Sequence, residues 1–476
     1  MVEIAVRELE RVFGARSVSP MPERVCTGCV IDSREVVPDA IFVAFPGERV
    51  DGNAFAAQAV EAGAAAVVLT REPASELVEL AAARACGLFV ADDATAFLLR
   101  LAAWVRERLG AQVVGITGSI GKTTTKDTLA ALLATRYRVH ATRGNYNNLI
   151  GLPLTILSAP ADTEVLVLEM GMNHPGEIAR LAACARPSIG VITKVGTSHI
   201  GILGSRENIA RAKAEIVEGL AASADGVLVL HGEDDFSDFI ADQFAAPAGV
   251  SVLRCGAGAG NDVTVSAVEV GQDGCPRFDV ELEDASVLHA QLPVLGAQAV
   301  PNAVFAIAVA ARLGVTVEQM AAALASMRMT GRRTQIRQAV CGARVIDDTY
   351  NASPESMAAG LDLLASLPCS GARVAILGEM GELGEMAAHL HGLTGAYAAA
   401  KKPDVLVFVG GEMARAMAEA ARLMGMDEDR MQVVASCEEL LARADGLMGP
   451  DDLALVKASR FVGLDRFVEG VCADAR

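Results

Sequence analysis

At 476 residues with 52% hydrophobic content, the chain is too long for one core and too apolar for disorder, so two or three packed domains are expected. A net charge of -18 and 4% aromatic residues argue against nucleic acid or an anionic membrane as the main ligand. No stretch approaches the ~20 apolar residues of a membrane span, and the first residues alternate charge with apolar side chains rather than forming a signal-peptide core, so a cytoplasmic protein without stable membrane insertion is expected.

Residues 1–108 carry apolar strand candidates at Ile41–Phe45, Ala65–Leu69 and Leu88–Ala91, separated by alanine-rich helical stretches. They read as a small N-terminal α/β domain. The ten cysteines are scattered, and Cys26 and Cys29 lack the further ligands of a zinc site, so reduced, packing thiols are expected.

A second unit, 109–325, opens on a buried-strand signature, Gln112 to Ile116, followed by Gly115, Gly118 and Gly121, then Lys122, Thr123 and a helical stretch from Thr124 to Thr135. Glycines between a strand and a helix let backbone N–H groups converge on anionic oxygens, so the segment reads as a nucleotide phosphate cradle. Lys122 would reach the terminal phosphates and Thr123 would offer its hydroxyl to Mg2+. The spacing differs from the common phosphate loop, since Ile116 stands where its first glycine would fall. Strands are expected at Val165–Glu169 and Gly190–Thr193 and a helix from about Ser205 to Ser223. Glu169, at a strand end beside the cradle, can hold Mg2+ or simply meet solvent. By spacing alone His199 and Lys213 are as well explained by a structural histidine and a surface lysine. Asp262 to Leu292 alternates in short segments and predicts antiparallel hairpins.

From 326 to 476, strands at Arg344–Asp347, Arg373–Leu377, Val405–Val409, Gln432–Val434 and Leu453–Val456 alternate with helical patterns, a doubly wound, Rossmann-like C-terminal domain. The fold class is therefore α/β in three domains, with a central phosphate-loop sheet flanked by the other two. Asp347, Asp348, Tyr350, Asn351 and Ser353 follow one strand, either as a polar ligand site or as a capped turn into a helix opened by Pro354. Gly378–Gly384 and Lys457–Arg460 follow two others, and all three loops should open on one sheet edge.

Taken together, Asp32–Arg34, Gly47–Phe55, Gly118–Thr125, Gly144–Asn148, Ile346–Met357, Leu377–Gly384 and Lys457–Arg460 resemble the Mur ligases, ATP-dependent enzymes that build the peptide of bacterial peptidoglycan precursors. The third domain lacks the Asp-Asn-Pro-Arg motif of the members that add the third residue, which favours the dipeptide-adding branch. That resemblance implies ligation of D-alanyl-D-alanine to UDP-N-acetylmuramoyl-tripeptide through an acyl phosphate; a monomer is expected. It implies ATP held by Gly118, Ser119, Ile120, Gly121, Lys122, Thr123 and Thr124, with Asn302, Arg332 and Asp347 contacting the nucleotide. Thr123 and Glu169 would serve one Mg2+, and His199 and Lys213 a second, with Lys213 carbamylated. Lys122, Lys213 and His199 would be catalytic, Ser33 and Arg34 would hold the UDP-sugar end, and Tyr350, Asn351 and Ser353 would lie near the dipeptide. This chain departs from the family where Gly296–Asn302 keeps only the ends of a nucleotide motif, and where Asn53 and Ala458 replace a common histidine and glycine. The alternatives are another amide ligase of the superfamily, third-residue-adding or folylpolyglutamate type, and a nucleotide-dependent binding module that does not ligate.

Overall fold

The computed structural model describes residues 2–47, 50–327 and 334–472. Three large sheets, each with helices packed on it, follow one another along the chain, and a small antiparallel pair, Ile4–Ala5 with Val25–Cys26, adjoins the first.

In the first, Gly28–Val30, Ala40–Val43, Ala66–Leu69 and Gly87–Val90 run parallel, with Arg16–Ser17 antiparallel at the edge. Ala40–Val43 and Ala66–Leu69 are buried along their whole length, because helices cover both faces of a parallel sheet and leave no solvent side to mark with polar residues. The three expected strands all form, shifted by a residue or two. Cys26 ends one short strand and Cys29 lies within the next, with only Thr27 between the strands, and burial pushes the Cys26 thiol up to about 12 and the Cys29 thiol up as well, away from thiolate chemistry.

The central sheet has nine strands in the order Val287–Gln291, Pro276–Glu281, Val263–Val270, Ser251–Gly256, Val227–His231, Ile189–Ile192, Gln112–Thr117, Val165–Glu169, Val139–Ala141. The phosphate-loop strand thus lies between Ile189–Ile192 and Val165–Glu169, and the loops after all three emerge together. The expected hairpins form as Val263–Val270, Pro276–Glu281 and Val287–Gln291, and they extend the central sheet at its edge. The helix expected from Ser205 to Ser223 is instead two, Arg206–Ala214 and Ile216–Leu220. The break directs the Glu215 carboxylate to the neighbouring helix Glu177–Ala185, where it accepts from Gly176 N at 2.7 Å and Ala179 N at 3.1 Å, satisfying helix-start donors.

The C-terminal sheet runs Gln335–Gln338, Arg344–Asp348, Leu453–Lys457, Arg373–Gly378, Val405–Val409, Met431–Val434, parallel except for the first strand. Leu453–Lys457, made after its neighbours, is buried at every position and fills the gap between Arg344–Asp348 and Arg373–Gly378. Ser459 ties the loops at this edge. Its hydroxyl accepts from Gly381 N at 2.9 Å and donates to Ala352 O at 3.3 Å, and its N–H donates to Glu379 O at 3.1 Å.

Beneath the same loops His391, fully buried, donates from Nδ1 to Ala387 O at 2.7 Å and accepts the Met380 N–H on Nε2 at 2.8 Å, a pairing only the neutral ring can make. Burial, outweighing the Ala387 hydrogen bond, lowers its proton affinity. Its contribution to stability is complete above the ordinary value of 6.5 and is lost as pH falls towards the lowered folded value. Thermal melts from pH 7 downwards should therefore lose Tm below about 6.5, and a His391→Gln variant should show a shallower loss; parallel profiles would contradict this. Among the described residues, no helix is long and apolar enough to cross a membrane.

Candidate active site

The phosphate cradle forms as the glycine pattern requires. Gly118 has φ +148° and Gly121 φ +89°, conformations that side chains resist, and a Cβ at either would overlap a neighbouring side-chain oxygen, Thr193 Oγ1 or Asn302 Oδ1. The helix Lys122–Leu133 starts directly after Gly121, so its free N–H groups point into the cradle. Lys122 Nζ folds back to donate to Gly118 O at 2.6 Å, and Thr123 is 5% exposed beside it. Gly121→Ala is accordingly expected to remain folded and to lose affinity for a nonhydrolysable ATP analogue by at least about tenfold in calorimetric titration, since left-handed backbone alone costs ~1–2 kcal/mol in a residue with a Cβ.

Glu169, at the end of the next strand, is 1% exposed. Its Oε2 accepts from Asn147 Nδ2 at 3.5 Å, while Oε1 is buried without a hydrogen-bond partner, 4.0 Å from the Lys126 ammonium. Lys126 is itself 3% exposed and is held by Thr142 O at 2.9 Å and Asp127 at 2.6 Å. A buried carboxylate oxygen without a donor is costly and suits a cation. Among the described residues no three His, Cys, Asp or Glu side chains converge on a point, so a metal here would have to draw on Thr123, water and phosphate oxygens, as Mg2+ commonly does. Lys213, 2% exposed, has its proton affinity driven well down, first by burial and then by the charge of Lys122.

Lys122, Thr123 and Glu169 open into a cavity of about 700 Å3, whose lining does not include Lys126 or Lys213. Ser119 to Thr124, Glu169, His199 and Asn302 line it from the central domain, and Tyr350, Asn351 and Ser353 from the C-terminal one. Asp93 and Thr95 close it from the N-terminal domain. Ser353 also caps the helix Pro354–Ser366, so the capped turn forms in a loop whose residues line the cavity. His199 sits at φ +66° with Nδ1 2.6 Å from Glu382 Oε2, and the imidazole holds the Glu382 carboxyl below its usual range. Asp347 is 1% exposed and turned towards Thr349 and Arg337, whereas Asp348 is on the cavity side. Ser33 donates to Gln58 Oε1 at 2.9 Å and Arg34 pairs with Asp32, both away from the residues that line the cavity. Arg332 lies outside the described residues.

Sequence reasoning singled out the Lys457–Arg460 loop but not Lys457 as a cavity residue. It is 2% exposed, pairs with Asp348 and donates to Asn351 O at 3.1 Å, fixing the polar loop from the adjacent strand. A lysine closing an all-apolar strand was the available signal. A second, smaller hollow of about 200 Å3 lies behind the 296–302 turn, lined by His231, Glu233, Val265, Ala297, Val300 and Pro301 among others.

Models of three successive units match the chain, "Mur ligase family, catalytic domain" over 25–103, "Mur ligase middle domain" over 116–310 and "Mur ligase, glutamate ligase domain" over 332–460. The chain belongs to the Mur ligase family. It is 37% identical over 470 residues to the UDP-N-acetylmuramoyl-tripeptide--D-alanyl-D-alanine ligase of Bacillus subtilis, covering 98% of each. The crystal structure of MurF from Acinetobacter baumannii superposes with a TM-score of 0.87 at 28% identity over 98% of both chains. MurF from Thermotoga maritima, solved in complex with ADP, superposes at 0.78 with 29% identity, over 93% of this chain and 96% of that one. As a Mur ligase the protein is an ATP-dependent ligase, and the three-domain α/β expectation stands.

Proposed function

We propose that the protein joins D-alanyl-D-alanine to UDP-N-acetylmuramoyl-tripeptide at the expense of ATP, giving the UDP-linked pentapeptide precursor of peptidoglycan. The observation that carries this reading is the single cavity shared by the phosphate cradle and the polar strand-end loops of the C-terminal domain, beside the full-length likeness to ligases of that name. We place the reaction in the cytoplasm and assign it to a monomer, since one chain supplies all three walls.

A carboxylate is a poor electrophile until one oxygen becomes a leaving group. The tripeptide's terminal carboxylate therefore attacks the γ-phosphorus of ATP, releasing ADP and leaving an acyl phosphate. The free amine of D-alanyl-D-alanine attacks its carbonyl carbon, and the tetrahedral intermediate loses phosphate and a proton to leave an amide. Both steps gather negative charge. The backbone donors of Gly118 to Thr124 and the Lys122 ammonium meet it without reorganising, which is where most of the rate enhancement would arise. Asn302, packed against Gly121, contacts the nucleotide in this reading, with Asp347 or its neighbour Asp348 towards the ribose, and the apolar hollow behind the 296–302 turn offers a place for the base. Thr123 and Glu169 would hold one Mg2+ and His199 with a carbamylated Lys213 a second; bound there, magnesium would neutralise phosphate charge. Tyr350, Asn351 and Ser353 line the side from which the dipeptide approaches, and Ser33 and Arg34 belong to the domain assigned to the UDP-sugar. Closure of the domains would keep water from the acyl phosphate.

The test is mass spectrometry of products from ATP, Mg2+, UDP-N-acetylmuramoyl-tripeptide and D-alanyl-D-alanine. The lengthened muropeptide and ADP are expected in equal amounts. Preference for glutamate or diaminopimelate as the amine would move the protein to another branch of the superfamily, and ADP without amide would leave a nucleotide-dependent binding module.

A further inference from the structure

The loop after Ile189–Ile192 is gripped from two sides. On the central-domain side Ser119 N donates to Lys194 O at 2.8 Å, Gly196 N to Ser119 Oγ at 2.9 Å, and Ser198 Oγ to Ser119 O at 3.4 Å. The loop is therefore laced to the phosphate cradle. On the other side, two separate segments of the C-terminal domain reach it. Glu355 Oε1 accepts from Thr197 N at 2.7 Å. Glu382 sits 2.6 Å from His199 Nδ1, and its carbonyl accepts from Gly201 N at 3.0 Å. Between these points the backbones of Gly201 and Gly384 meet directly, and a Cβ on Gly201 would overlap Gly384 N and lie 2.7 Å from Leu383 C.

We propose that Glu355 and Glu382 form a two-point clasp through which the C-terminal domain, on closing, seizes the 194–201 loop and sets His199 and the phosphate cradle in their working positions. Neither carboxylate touches the reacting atoms, so both are positioning residues. Bonds from backbone N–H to a carboxylate are charge-assisted and stronger than neutral ones, and a carboxylate on one ring nitrogen of a histidine fixes how the other is presented. The clasp also has a built-in release. Thr197 Oγ1, Glu355 Oε2 and His199 Nδ1 are buried at this interface without a partner in hydrogen-bonding geometry, the last meeting Glu382 by charge alone, so closure forfeits some of its gain and the domains can part again. The purpose of the clasp rests on the ligase reading, but its existence can be tested without turnover.

Gly201 lies in the short helix Ile200–Leu203 with ordinary backbone angles, so Gly201→Ala inserts a wedge between the domains without straining its own. Small-angle scattering of the full chain, free and with Mg2+ and a nonhydrolysable ATP analogue, reads closure directly. The wild type should compact on adding the analogue. Gly201→Ala, Glu355→Ala and Glu382→Ala should bind the analogue and melt as the wild type does, yet keep the wider envelope, with kcat/KM lower by about tenfold or more for each. Glu355→Gln, whose amide oxygen still accepts from Thr197 N, should recover most of both readouts. A wild type that does not compact, or Gly201→Ala and Glu355→Ala proteins that compact fully, would overturn the clasp. Compaction as described in a wild type that makes no amide would support the clasp and defeat the ligase reading.

Discussion

Lys122→Ala is expected to leave a folded protein that forms no detectable muropeptide. In the free protein the lysine donates to Gly118 O, a bond whose loss costs only ~0.5–1.5 kcal/mol, so the melting curve should move little. In the proposed reaction the same ammonium would face the transferring phosphoryl group in the cavity. Removing a single donor to developing charge costs about 10²–10³ in kcat, and removing a full positive charge should cost at least that. Lys122→Arg should fail as well, because a planar guanidinium cannot take the place of a compact ammonium in a loop drawn this tightly. Product mass spectrometry beside a thermal melt decides the matter: an alanine variant retaining a tenth of wild-type turnover would remove Lys122 from the chemistry.

The second large effect is expected at Lys213. Its side chain is buried, and no hydrogen bond or ion pair to its ammonium is found among the described residues. Burial disfavours the charged form and Lys122 disfavours it further, so the amine is driven towards neutrality, the state that can attack carbon dioxide. In the proposed carbamylation the new N–C bond would form as the nitrogen loses a proton to solvent. The proposed carbamate anion would replace a cation that would repel both Lys122 and magnesium. Lys213→Ala and Lys213→Arg should lose more than the roughly 10–100-fold that loss of an outer metal partner costs. Wild-type enzyme stripped of carbon dioxide should lose activity and regain it with bicarbonate, while Lys213→Ala ignores both treatments. Full activity in stripped wild type would show that no carbamate is needed.

The phosphate cradle was legible because it is local. Strand, glycines, lysine and helix start are contiguous from Gln112 to Leu133, and each constrains the next. Strand interiors were legible for a similar reason, since buried parallel strands read as unbroken apolar runs. What escaped was any feature that depends on pairing across long separations. Lys457 with Asp348 and Glu355 with Thr197 join segments that only the folded sheets bring together. Asp347 shows a subtler limit: successive residues of a strand face opposite sides, and nothing in the run Val345 to Asp348 says which carboxylate meets the cavity. The interruption at Glu215 was hidden because the helical pattern continues through it.

Leu453–Lys457 carries a consequence for biosynthesis. Both of its sheet partners leave the ribosome well before it, and until it arrives each offers the other an unfilled, apolar slot with open hydrogen-bonding edges. The nascent C-terminal domain must wait in that state, with apolar surface open to aggregation. Lesions that delay or misalign this late insertion should therefore appear as insoluble protein in the expressing cell, even where the finished molecule would tolerate them.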